Sequence, residues 1–306
     1  MSNLTRDDIR AALTGPIASI RVPFRRDGSL DVAGLRHAVE FDIAAGSRTI
    51  LQTYGDSLHS LLTDEEVGEV TRIIVEQTAG RTMVVAADRQ WGTPREVEFA
   101  RCVRGLGADV LMVLPPDWGA SCTVDTLVEH YSAVAAEIPV MVVTAVFLPR
   151  GTAFGLQVIE RLIEELPNVV AVKDDFCGEF GRKLALLAHE RLAVFAGGLK
   201  QNHLSMYPYG CDGYLSTFIT LKPEIAHAYW SAIEAQNIAG AREVIAKYDM
   251  PFFDYVMGLP GGFDAGIHGM SELYGIYGRW RRKPYYSLND EEMEGLAAHL
   301  RGLGLL

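Results

Sequence analysis

The sequence predicts a single (β/α)8 TIM barrel with a C-terminal helical extension, and three observations carry that prediction. Strand-like and helix-like segments alternate eight times in strict order as far as Trp230. Such alternation implies parallel strands joined by right-handed helical crossovers. The strand segments are continuous apolar, β-branched runs such as Val169-Val170-Ala171-Val172, the pattern of strands buried on both faces. Eight units also exceed the roughly five to seven strands of an open doubly wound sheet, and 306 residues accommodate a barrel of about 250. Residues 1–230 are therefore expected to form the barrel and 231–306 the extension.

The elements follow in order. Residues 16–24 read as the first strand, and Asp31 caps a helix whose Val32, Leu35, Val39 and Ile43 share a face until Gly46 stops it. Residues 49–53 form the second strand, and Thr63 caps a helix through Val67, Val70 and Ile74. A third strand spans 82–87. Its helix opens at Thr93-Pro94, with proline in the first turn, and closes at Gly107. Strand four (109–114) leads into Pro115-Pro116 and a helix with Leu127, Tyr131 and Val134 inward. Strand five (139–143) precedes a long loop, 144–154, and a helix carrying Leu156, Ile159 and Ile163. Strand six contains Lys173, strand seven spans 192–196 and strand eight 213–218. Beyond Trp230 the pattern is helical only, at 241–248, 266–277 and 291–303.

Composition narrows the function. The net charge is −11, from 28 basic and 39 acidic side chains without long blocks, which argues against nucleic acid or an anionic membrane as partner. Cys102, Cys122, Cys177 and Cys211 lie far apart, suggesting neither a disulfide framework nor a zinc site, and they fit a reducing compartment. His59, His203 and His268 have no ligand spacing, so no metal is expected. The polar stretch Met1 to Arg10 lacks the apolar core of a signal peptide, and a cytoplasmic location is expected.

Barrel chemistry is built where the strands end at their C-termini. Strand six presents a lone lysine, Lys173, in an apolar run. A buried amine can lose its charge readily and attack a carbonyl; alternatively it pairs with Asp174 or Asp175 at the strand's mouth. Strand two presents Thr53-Tyr54-Gly55, whose backbone N–H groups can cradle a carboxylate. Strand seven presents Gly197-Gly198, and strand eight Ser216-Thr217.

Taken together, the Thr-x-Gly-acidic turn, the lysine on strand six, the Gly-Gly turn and the Gly210, Gly213, Ser216 spacing resemble the dihydrodipicolinate synthase/N-acetylneuraminate lyase family of class I aldolases. The resemblance covers essentially the whole chain. It implies that Lys173 forms an imine with pyruvate or another 2-oxo acid, with no other cofactor, while the turn after strand two holds the carboxylate. It also implies a homodimer or homotetramer.

Three departures from the family pattern stand out. Tyr54 replaces a small hydroxyl residue, and Val143 occupies the place of the proton-relaying tyrosine on strand five. Strand four ends Leu114-Pro115-Pro116-Asp117, without the family synthases' tyrosine pair. Tyr54 and Thr144 are the candidates to replace the relay, beside a bound water or the substrate's own carboxylate. Arg150 is displaced from the family's arginine and can meet a distal carboxylate or remain a solvated loop residue. Gly198 and Ser216 complete the expected binding set. The expected function is a Schiff-base lyase acting on a 2-oxo acid, either a pyruvate-releasing aldolase or a dehydratase of a sugar-derived 2-keto-3-deoxy acid, with a tilt to the sugar-acid branch. The alternatives are a non-catalytic 2-oxo-acid-binding barrel and a dihydrodipicolinate synthase-type condensation.

Overall fold

The structure, a computed structural model, describes residues 4–306; the first three residues of the polar N-terminal stretch lie outside the described residues. Helix α1 (Arg6–Leu13) comes first, capped by Thr5, whose hydroxyl accepts from the Asp8 N–H while the Asp8 carboxylate accepts in return. Eight parallel strands then close on themselves in chain order: β1 (Gly15–Ser19), β2 (Thr49–Leu51), β3 (Met83–Ala87), β4 (Val110–Val113), β5 (Val140–Val143), β6 (Val169–Asp174), β7 (Ala193–Ala196) and β8 (Gly213–Leu215). The crossovers are α2 (Val32–Ala44), α3 (Asp64–Thr78), α4 (Thr93–Leu106), α5 (Val124–Ala135), α6 (Thr152–Glu165), α7 (Gly178–Ala188) and α8 (Lys200–Met206). Helix α9 (Pro223–Glu234) follows β8, and α10 (Ile238–Val244), α11 (Met250–Met257), α12 (Gly262–Leu273) and α13 (Asp290–Gly302) complete the chain. No helix is long and apolar enough to cross a membrane among the described residues.

Local chemistry explains the helix starts. Asp31, Thr63 and Asn289 each accept a backbone N–H in the first turn of α2, α3 and α13, and Pro94 sits in the first turn of α4, where no donor is needed. Gly107 ends α4 with φ +102°, a conformation that favours glycine.

Strand residues alternate between two apolar layers. Leu51, Val85, Met112, Met141, Ala171 and Phe195 fill the barrel, while Ile50, Val84, Leu111, Val142, Val172 and Val194 meet the helices. Ile9 and Leu13 of α1 join the inner layer and seal it from below, a role the polar look of the N-terminus did not announce.

Strands β2 and β8 end earlier than expected and α12 lies earlier in the chain than the helix expected at 266–277; three further differences have a plain physical reason. The first strand stops at Ser19, and Phe24 makes only an isolated antiparallel bridge to Leu30. Pro23, lacking an N–H, cannot extend a ladder there. The expected loop at 144–154 is a 3-10 helix (Thr144–Arg150) separated from α6 by Gly151 alone, held by tertiary contacts described below. The expected helix 241–248 is α10 continuing through a π-helical turn (Ile245–Asp249) into α11, with Pro251 in the first turn of α11.

Candidate active site

Strand phase decides what faces the barrel mouth. Ala171 points into the barrel, so Lys173, two residues on, points into its mouth, and Asp174 points out towards α7. Gly181 of α7 makes room for it: a Cβ at Gly181 would stand 2.6 Å from the Asp174 carboxylate. Lys173 lies in register with Val143 on one side and Phe195 on the other. Its side chain is 8% exposed and borders a chamber of about 290 Å³.

Apolar walls surround the amine. Met112, Leu114, Val143, Ala145 and Leu215 line the chamber, and its polar groups are Lys173, Asp175, Asp56 and the turn after β2. The Lys173 ammonium donates to the Asp175 carboxylate. This ion pair, one of the two sequence alternatives, is therefore present, and it sits inside the chamber rather than on the rim. Residues 173 and 175 bracket the outward Asp174, so the same alternation that aims the lysine inward returns Asp175 to it.

Thr144 fixes this arrangement. Its buried hydroxyl donates to Asp174 Oδ1 at 2.7 Å and accepts from the Asp175 N–H at 2.9 Å. Asp174 also accepts from the Phe176 and Cys177 N–H groups, at 3.1 and 2.9 Å. Burial pushes the Asp174 carboxyl up from its ordinary range, against the pull of these hydrogen bonds. The Thr144 hydroxyl is thus engaged on both sides, and Thr144 is not among the residues lining the chamber.

The turn after β2 is equally fixed. The Thr53 N–H donates to Ser57 Oγ at 3.0 Å, the Asp56 N–H to Thr53 Oγ1 at 2.8 Å, and Ser57 Oγ to the Ile20 carbonyl at 2.7 Å. Among the described residues the Tyr54 and Gly55 N–H groups have no protein acceptor. These two donors, in a turn bordering the chamber, are what a substrate carboxylate can use. A Cβ at Gly55 would meet nothing within 4 Å, which keeps the approach open. Tyr54, half-buried, lines the same chamber.

The structure thus brings together Lys173, Thr53, Tyr54 and Gly55, and leaves others of the expected set apart. Arg150 donates to Asp117 at 2.6 Å and to the Cys122 carbonyl at 2.9 Å, and stacks over Phe154. It ties the loops after β4 and β5 together, and this tie folds the 3-10 turn that the sequence read as a loop. Ser216 Oγ accepts from the Ile219 N–H at 3.3 Å and borders neither mouth chamber. Gly198 borders a second chamber, and its neighbour Gly197 borders both.

His59, His203 and His268 are buried in separate places, and burial lowers them to about 4, about 3 and about 4, so each is neutral. Burial also raises the Cys177 thiol to about 12, which removes it as a nucleophile. No group of three or more His, Cys, Asp or Glu side chains converges among the described residues.

Of the two partners that the sequence offered Lys173, the structure selects Asp175. One residue escaped the sequence reading. Arg21 was hidden because the strand was expected to continue past it as ordinary wall; it stands buried at the mouth near Asp56 and Asp264, at 3.5 and 3.6 Å.

Comparison with known proteins agrees with this architecture. The Dihydrodipicolinate synthetase family matches residues 12–302. The chain is 27% identical over 303 residues to the 4-hydroxy-tetrahydrodipicolinate synthase of Chlorobaculum parvum, covering 96% of this chain and 98% of that one. It is 28% identical over 257 residues to a Streptomyces avermitilis protein named "Probable 5-dehydro-4-deoxyglucarate dehydratase 2", covering 82% and 74%. The crystal structure of dihydrodipicolinate synthase from Oceanobacillus iheyensis superposes with a TM-score of 0.84 at 20% identity over 99% of this chain and 100% of that one, a likeness of fold.

Proposed function

The chain belongs to the dihydrodipicolinate synthetase family, and from that premise we propose that it is a Schiff-base-forming lyase acting on a 2-oxo acid, with Lys173 as the amine. The observation that carries this reading is the inward Lys173 amine paired with Asp175 in an apolar chamber that also contains the unused Tyr54 and Gly55 N–H donors. The donors take the C1 carboxylate, which aims the C2 carbonyl at the amine. Asp175 accepts a proton from the ammonium, and the freed lone pair adds to C2. Loss of water then leaves an iminium whose positive charge stays against the Asp175 carboxylate.

That iminium serves either of two outcomes. In cleavage, a base removes the proton of the C4 hydroxyl, the C3–C4 bonding electrons enter the iminium to give an enamine, and an aldehyde departs. Protonation at C3 and hydrolysis then release pyruvate. In dehydration, a base removes a C3 proton to give the enamine, and the C4 hydroxyl leaves as water after protonation. Asp175 is the carboxylate in contact with the reacting nitrogen, and we assign it the proton transfers for which Tyr54 and Thr144 were the sequence's candidates. Tyr54 shapes the chamber beside the carboxylate site. The same reading has the enzyme work as a cytoplasmic homodimer or homotetramer, with the lysine imine in place of any metal or other cofactor.

A panel of 4-hydroxy-2-oxo acids with sugar-derived and with apolar far ends, followed both for released pyruvate and for loss of water, tests the proposal. Turnover by the wild type that is abolished in Lys173→Arg is expected. Undiminished turnover by Lys173→Arg would refute it, and ligand-raised melting temperature without any turnover would favour a binding protein.

A further inference from the structure

A second chamber of about 180 Å³ adjoins the lysine chamber, and the two share Asp56, Gly197 and Leu215 as walls. The shared walls set the second chamber beside the place where a substrate is held at Lys173. Its lining is largely apolar, with Leu199 of the β7 turn, Leu215 of β8 and Phe253 and Phe263 from the helical extension; Met257, 68% exposed, stands at its rim. Polar character is concentrated at Arg21, Asp56 and Thr217.

Arg21 is the unusual member. Its side chain is 3% exposed, and its Nε has no hydrogen-bond partner among the described residues. The carboxylates of Asp56 and Asp264 stand at 3.5 and 3.6 Å, near enough to balance its charge but too far for good hydrogen bonds. Asp264 is itself held by Arg281 at 2.9 Å. The Nε is itself sealed off, so the donors that Arg21 can offer a ligand in the chamber it borders are its Nη groups.

The charges also say what the ligand is not. Arg21 and Asp56 cancel across the chamber, so a second carboxylate would enter beside Asp56 with no cation left to meet it. A polyhydroxylated chain would press most of its hydroxyls against Leu199, Phe253 and Phe263, where they have no partners. An apolar cavity of about 150 Å³ is enough to hold benzene, so this one suits a ring.

We infer that the second chamber is the subsite for the substrate's far end and takes a neutral, apolar group of ring size whose single hydroxyl accepts a hydrogen bond from Arg21. This rests on the Schiff-base reading above, and it directs the search towards aryl-substituted rather than sugar-derived 2-oxo acids.

Borohydride trapping on Lys173 tests the inference without requiring turnover. The probes are pyruvate, a 2-oxobutanoate with a terminal phenyl ring, its hydroxyphenyl counterpart, 2-oxoadipate and 2-keto-3-deoxygluconate. Both aryl acids are expected to half-saturate trapping at about tenfold lower concentration than 2-oxoadipate or the sugar acid, with the hydroxyphenyl acid ahead of the phenyl. In Arg21→Met the hydroxyphenyl advantage is expected to vanish while the phenyl acid still traps; a retained advantage would remove Arg21 from the account. Should that variant fail to fold, the comparison of the two aryl acids on the wild type still decides. Equal or better trapping of 2-oxoadipate or 2-keto-3-deoxygluconate would overturn the inference, as would pyruvate trapping without either aryl acid. Failure of pyruvate itself to trap would instead sink the Schiff-base reading beneath it.

Discussion

In the proposed mechanism the Asp175 carboxylate has two separable duties beside Lys173: it stabilises a cation, and it moves a proton. Asp175→Asn keeps a hydrogen-bonding group of the same size but cannot carry the proton. Its kcat is expected to fall by about 10²- to 10⁴-fold while the imine still forms, which a comparison of steady-state rate with trapping yield will show. Equal losses in both would make Asp175 only a support for the amine. At this scale the lysine was legible because a charged residue in a β-branched strand is conspicuous. Its partner was legible only as Asp174 or Asp175, because the sequence leaves open whether the strand keeps its alternation to its last residue. Only the continued phase puts Asp174 outside and Asp175 inside. Arg21 was illegible for a different reason: its neighbours Asp56 and Asp264 lie far along the chain, on the β2 turn and α12.

Contacts between elements hold the strand ends in that phase. Thr144, on the turn after β5, spans Asp174 and Asp175 at the end of β6, so Thr144→Val leaves the half-buried Asp175 N–H without its acceptor and the buried Asp174 carboxylate with one donor fewer. A loss of about 1–3 kcal/mol in unfolding free energy is expected, with kcat lowered as well, and Thr144→Ser is expected to restore most of both. Denaturant melts and kcat measured on the same preparations check this, and a stable but inactive Thr144→Val would return the hydroxyl to the chemistry. The helical extension is pinned similarly, by Lys200 of α8, whose ammonium donates to Asp249 in the π-helical turn at 2.6 Å, both side chains at most 2% exposed. Lys200→Met strands a buried carboxylate and should cost about 3–5 kcal/mol in urea unfolding, whereas Lys200→Met with Asp249→Leu should cost much less. Caps such as Asp31 and Thr63 were readable because the donor and acceptor are three residues apart. The 3-10 turn after β5 was not, because it depends on Arg150 reaching Asp117 from another loop.

At the scale of the whole barrel, closure was legible from the count of strand–helix units, since eight parallel strands of apolar residues have few other ways to bury both faces. The sealing of the floor by α1 was not, because only Ile9 and Leu13 of that polar helix are buried. The barrel also carries a titration of its own. Asp88, just beyond β3, and Glu96 of α4 are fully buried, and burial, joined for Glu96 by the repulsion of Asp88, raises both carboxyls well above their ordinary range. The folded state therefore holds protons that the unfolded chain releases above about pH 4. The stability these two groups contribute is full below that pH and is lost as pH rises through the raised values. Glu96→Gln, permanently neutral, is expected to lose less melting temperature than the wild type between about pH 5 and about pH 9; identical pH dependence would contradict this. All of these features serve one placement, an amine inside an apolar mouth. Incubation with saturating pyruvate, reduction with borohydride and peptide mass analysis measures it directly. The account predicts a mass increment confined to the peptide carrying Lys173 and absent from Lys173→Arg, and an unmodified Lys173 would contradict it.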